Sequence, residues 1–168
     1  RQNAYHLSKH SFWSKRLETT DKARMEDVEF ISELIFSLIE KTELTATDND
    51  LDSYYEKYAR NIKISWKDVM RDFLLTTDFM ESLGLQYETY KIYGVSHLYG
   101  IWCFSMHCVS NQIPAAAVAP KLLEFFTQIK DRNYTHPIVF EYKQSMSNRP
   151  KFKGQRSKRR KALVEYCC

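Results

Sequence analysis

The stretch DKARMEDVEFISELIFSLIE, residues 21–40, decides the fold class. Its apolar residues Met25, Val28, Ile31, Ile35 and Ile39 recur at spacings of three and four, which lays one apolar stripe along an amphipathic helix. Downstream, Thr42 to Asp50 is polar and rich in capping residues. Asp50 is placed to open a short helix carrying Leu51, Tyr54, Tyr55 and Tyr58, so a two-helix hairpin is expected. Ser65 reads as an N-cap with Asp68 three residues on. Val69, Phe73, Met80 and Leu83 follow at helical spacing until Gly84 supplies a stop. Residues 85–94 alternate through Tyr87, Thr89, Lys91 and Tyr93 and are expected to form an extended linker.

From Ser96 the chain is almost wholly apolar, and the helix expected over Leu98 to Val109 is poor enough in charge to be the centre of the core. Pro120 is expected as the first residue of a further helix, and Thr135 with Pro137 repeats that opening before Ile138 to Met146. Lys151 to Tyr166 has good helix formers and ends in Ala162, Leu163, Val164 and Tyr166, a segment able to dock on the rest. The expected fold is all-α: a single irregular bundle of seven or eight helices over residues 1–168, with a basic C-terminal helix, 149–168, docked on it.

Composition agrees. The 168 residues are 43% hydrophobic and 27% charged, as in one ordinary globular domain, and four Gly and four Pro are too few for a many-stranded sandwich or barrel. Apolar runs such as Gly100 to Met106 fall far short of the roughly 20 residues that a spanning helix needs, so no membrane partner is expected. The four cysteines, Cys103, Cys108, Cys167 and Cys168, suit neither a disulfide scaffold nor a CxxC pair, and a reducing, cytoplasmic setting is expected. The first residue is Arg rather than Met, so the chain is expected to be a piece of something longer.

The net charge of +4 conceals an asymmetry. Arg149 to Lys161 carries eight Lys or Arg and no acid; subtracting them leaves the rest of the chain at about −4. Arg149, Lys151, Lys153, Arg156, Lys158, Arg159, Arg160 and Lys161 have the density of a phosphate-contacting surface, where each neutralised phosphate releases counterions. The competing reading is a solvated helix face. Phe152 is the one aromatic inside the segment, so duplex backbone contact fits better than base stacking on single strands. On a helical wheel Arg156 and Arg159 share a side with Leu163 and Tyr166 and are expected to point at the body, leaving Lys151, Lys158 and Lys161 as the more outward residues.

Other constellations are weaker. Arg24 lies on the apolar stripe of its helix and needs a carboxylate, with Asp27, Glu29 and Glu33 as candidates for a structural ion pair. Cys103 and His107, with His97 and Cys108 on the same helix, offer half a zinc site at best. A nucleophile with its base cannot be singled out and no phosphate-cradling glycine loop occurs, so no catalytic residue, metal or cofactor is assigned.

The segments "LSKHSFWSKRL", "RMEDVEFISELIFSLIE" and "LDSYYEKY" occur here in an order and spacing that resemble the helical C-terminal half of GmrSD-type restriction proteins, which follows a ParB-like N-terminal domain. In that family an Arg-Met-x-Asp-x-Glu-Phe segment opens a helix after a short Phe-Trp helix, here Arg24, Met25, Asp27, Glu29 and Phe30. A later helix rich in paired arginines is similar to the region of Arg156 and Arg160. The resemblance implies a helical module from a phage-defence, modification-dependent DNA-cleaving protein, partnered by a ParB-like domain of the same protein. The family's Asp-Gly-Gln-Gln-Arg and HNH nuclease motifs do not occur in these 168 residues. Two other readings stand beside it. One is a protein-interaction or homo-oligomerising bundle that docks through Tyr54, Tyr55, Tyr58 and Tyr87. The other is a divalent-ion hydrolase built on Asp27, Glu29 and Glu33.

Overall fold

The computed structural model describes residues 1–60, 63–90, 92, 94–133 and 136–168. Among these there are nine helices and no strand: α1 (Gln2–Ser8), α2 (Ser11–Arg16), α3 (Glu26–Glu40), α4 (Asp48–Ala59), α5 (Trp66–Ser82), α6 (Val95–Ser110), α7 (Ala115–Lys130), α8 (Pro137–Ser145) and α9 (Lys153–Cys167). The fold is an all-α bundle, and none of these helices is long and apolar enough to cross a membrane.

Local chemistry sets the helix ends. Asp21 Oδ1 accepts from the Ala23 and Arg24 amides at 3.0 and 3.2 Å, while Glu26 Oε2 accepts from the Asp21 amide at 2.9 Å. This turn, with Met25 at φ 57°, delays the start of α3 to Glu26. Glu26, Asp27 and Glu29 then place negative charge at its positive end. Thr47 and Asp50 form a capping box on α4, and Ser65 caps α5 by accepting from the Asp68 amide. Gly84, at φ +60°, ends that region in the left-handed conformation that only glycine adopts freely.

Two expectations are corrected. Pro120 lies inside α7, which opens at Ala115 behind Pro114. The alanines 115–117 are strong helix formers, and the Ala116 carbonyl that Pro120 cannot serve sits on an exposed residue, open to water. Residues 85–90 and 92 are not an extended linker. Leu85, Tyr87 and Ile92 are buried, and the Ile92 amide donates to the Tyr87 carbonyl at 2.7 Å across a turn. Lys91 and Tyr93 lie outside the described residues, as does Thr135. The opening of α8 is instead capped by His136, whose Nδ1 accepts from the Ile138 amide.

The core is built on α6, whose Leu98 to Ser105 are all buried. Trp102 meets Trp13 of α2 at 5.7 Å and Phe73 of α5 at 4.8 Å between ring centres. Both indoles are fully buried, and their N–H groups donate to Ser37 Oγ and Thr77 Oγ1, each at 3.0 Å. A second aromatic cluster, Phe125, Phe126, Tyr142 and His97, joins α6, α7 and α8. The tyrosines considered for docking face inward: Tyr58 and Tyr87 are buried, and Tyr54 and Tyr55 are half-buried against Phe36. Helix α9 lies across α6, α7 and α8, which fixes the basic segment to the bundle.

Candidate nucleic-acid interface

Burial divides the basic segment. Along α9, Arg156, Arg159, Ala162 and Leu163 fall at spacings of three and four and are buried, whereas Gly154, Lys158, Lys161 and Glu165 form the exposed stripe. Arg156 and Arg159, at 1% and 0% exposure, face the body as their helical spacing predicts, and their place in the phosphate-contacting set is corrected because they cannot reach a polyanion.

Arg156 donates to Glu33 Oε2 at 2.5 Å and to the Leu44 carbonyl at 2.8 Å, with its guanidinium carbon 3.6 Å from the centre of the Tyr99 ring. Tyr99 in turn accepts from the Leu44 amide at 3.0 Å. Helices α3, α6 and α9 and the 42–47 segment therefore meet at one guanidinium. Burial pushes the Glu33 carboxyl up, and the charge and hydrogen bond of Arg156 oppose that shift. Among the described residues no carboxylate pairs with Arg159; it donates to the carbonyls of Ser145, at 2.9 Å, and Pro150. Arg160 is half-buried and pairs with Glu43, a carboxylate that is itself only 2% exposed.

Arg149, Lys151, Lys153, Lys158 and Lys161 remain, all exposed, and among the described residues none of them forms an ion pair with an acid. Arg149 sits at φ 45°, with its guanidinium carbon 5.3 Å from the centre of the Phe152 ring. Phe152 is the N-cap of α9, and the first turn that follows contains no acid.

The group expected around Arg24 is not assembled. Arg24 precedes α3 and points into solvent, 3.4 Å from Asp21 Oδ2. Glu29 is exposed, and Glu33 belongs to Arg156. Asp27 pairs with Lys22 at 3.1 Å and Lys9 at 3.9 Å. Burial works to raise its carboxyl, but the Lys22 hydrogen bond and charge bring it below the usual range. The three carboxylates of the hydrolase reading thus have three separate partners or surroundings. Among the described residues no cluster of three or more His, Cys, Asp or Glu could hold a metal. Burial pushes the Cys103 thiol well up, away from thiolate chemistry. A cleft of about 690 Å³ opens beside Lys41, Glu43, Asp72, His107, Asn111 and Arg160. Thr42, also in its lining, donates to Glu43 Oε2 at 3.3 Å, and Arg160 pairs with the same carboxylate.

Glu43 escaped the sequence reading because it lies in a polar segment with no periodicity, and its partner is 117 residues away. A lone acid ahead of Leu44 in a capping region gives no local signal of burial. Compared with family models, curated proteins and solved structures, the chain matches none.

Proposed function

We propose that this chain is a noncatalytic helical module that associates with the DNA phosphate backbone and acts as a scaffold in a cytoplasmic, phage-defence, modification-dependent restriction-type protein of the GmrSD kind. The observation that carries the DNA contact is the set of five exposed cations, Arg149 and Lys151 just ahead of α9 and Lys153, Lys158 and Lys161 on it, none of which forms an ion pair among the described residues, next to arginines that anchor the helix to the bundle. The resemblance of the segments around Phe12, Trp13 and Arg24 to Phe30 supports the restriction context. In that reading a ParB-like domain of the same protein and a nuclease supply the chemistry. Mobility of a DNA duplex measured over a range of salt concentrations tests the proposal: binding should be insensitive to sequence and weaken steeply with salt.

A protein-docking or oligomerising bundle is the second reading, favoured by Phe140 and Leu123, which are 55% and 42% exposed. Molecular size measured at two concentrations, with and without duplex, separates the two.

A further inference from the structure

Phe152 breaks the pattern of the basic segment. It is a large ring, 40% exposed, and the one aromatic in a run dominated by cations. The ring lines a shallow concavity of about 350 Å³ with Asn148, Arg149, Gly154, Gln155 and Lys158. Gly154 leaves it open, with nothing within 4 Å of where a Cβ would stand.

The loop beneath this ring is held rigidly. Buried Arg159 donates to the carbonyls of Ser145 and Pro150, which bracket it. The Lys151 carbonyl accepts from the Ala46 amide at 3.3 Å, and the Lys153 amide donates to Thr45 Oγ1 at 3.0 Å. Gln155 Nε2 donates to the Asn148 carbonyl at 3.1 Å, and the Phe152 amide donates to the Arg149 carbonyl at 3.0 Å. Arg149 accepts a left-handed backbone at φ 45°, unfavourable for a residue with a Cβ, and its guanidinium lies over one face of the Phe152 ring, so the platform is the other face. An exposed ring on a tethered loop, with one strained residue and unpaired cations around it, is a preorganised surface for a flat ligand that carries negative charge.

A nucleobase with its phosphates has that chemistry, and its face is free only when the strand is unpaired. We propose that Phe152, flanked by Arg149 and Lys158, is a stacking platform for an unpaired DNA base whose phosphates lie along Lys151, Lys158 and Lys161. This rests on the phosphate-contact reading above and adds to it a stacking contribution that an unpaired base supplies and a paired one does not.

The test is fluorescence anisotropy with the full chain against three labelled probes of equal length: an oligothymidine strand, an abasic strand with the same phosphates, and a duplex. The oligothymidine strand is expected to bind roughly tenfold tighter than the abasic strand, in line with the stacking contribution of one base. Phe152→Ala and Phe152→Leu should both remove that difference while leaving abasic binding within about twofold, and Phe152→Trp should keep it. Lys158→Gln should weaken oligothymidine and abasic binding alike. Equal binding of these two strands by the unmodified chain overturns the stacking platform and leaves the phosphate reading standing; binding of none of the three probes at low salt overturns both.

Discussion

The guanidinium of Arg156 and the carboxylate of Glu33, 123 residues apart in sequence, meet at 2.5 Å with both side chains almost wholly removed from water. This pair fastens α9 to α3. Removing either partner strands a buried charge, so Glu33→Ala or Arg156→Ala is expected to cost about 3–5 kcal/mol, read as a fall in the urea midpoint. Replacing both with apolar residues of similar size, Glu33→Leu with Arg156→Met, should cost clearly less than the Glu33→Leu and Arg156→Met single changes added together. Additive losses would show that the two groups are not coupled.

Arg159 is held by backbone carbonyls. Its two carbonyl partners, Ser145 and Pro150, lose their donors in Arg159→Leu. Stability is expected to fall by about 1–3 kcal/mol, the cost of leaving such groups unsatisfied. Amide exchange should rise first in residues 146–152, and unchanged exchange there would refute the anchoring role.

His97 stacks on Tyr142 and shares a 2.8 Å hydrogen bond with its hydroxyl. Burial, then the nearby charge of Arg159, lowers its pKa from the ordinary 6.5 to about 4. Between these values the unfolded chain binds a proton that the folded chain refuses, so stability is complete above pH 6.5 and declines as pH falls towards 4. The loss from this residue is at most about 3 kcal/mol. In His97→Phe that dependence should disappear: the thermal midpoints of the two proteins should converge, or cross, as pH drops from 6.5 to 4. A constant gap across the window would contradict the assignment.

Three of the four cysteines are buried, and only Cys168 is exposed. Burial pushes the Cys108 and Cys167 thiols up to about 12 and Cys103 further. A thiol-specific reagent at pH 8 should therefore modify one thiol per native chain quickly, and all four after denaturation. Fast reaction of a second thiol in the native protein would show that the C-terminal end of α9 is not docked as described.

Much of the fold was legible wherever a single helix carried its own pattern. The stripe from Val28 to Ile39, the Ser65 cap with the Gly84 stop, and the nearly chargeless α6 each encode themselves within a few turns. Helical spacing also turned Arg156 and Arg159 inward. Spacing could not name what receives them, because Glu33, Leu44 and Ser145 are brought there by the packing of other elements. The same limit misplaced Arg24. Asp21 gathers the amides of Ala23 and Arg24 into a turn, so the helical register that set Arg24 on the apolar stripe does not extend back to it. At Pro120 the expectation rested on proline's preference for a first turn, while the preceding alanines had already started the helix.

Lys151, just ahead of α9, and the outward Lys158 and Lys161 on it bear the central claim, and the salt dependence of duplex binding tests it most directly. Affinity for a duplex should fall linearly on a log–log plot against salt concentration, with a slope of roughly −0.9 for each phosphate neutralised. Changing Lys151, Lys158 and Lys161 together to Gln, all exposed and free of ion pairs among the described residues, should leave folding intact. It should also reduce the steepness of that slope by about 3, roughly one unit for each lysine. The same slope and affinity in the triple variant would contradict a DNA-contacting role for this surface.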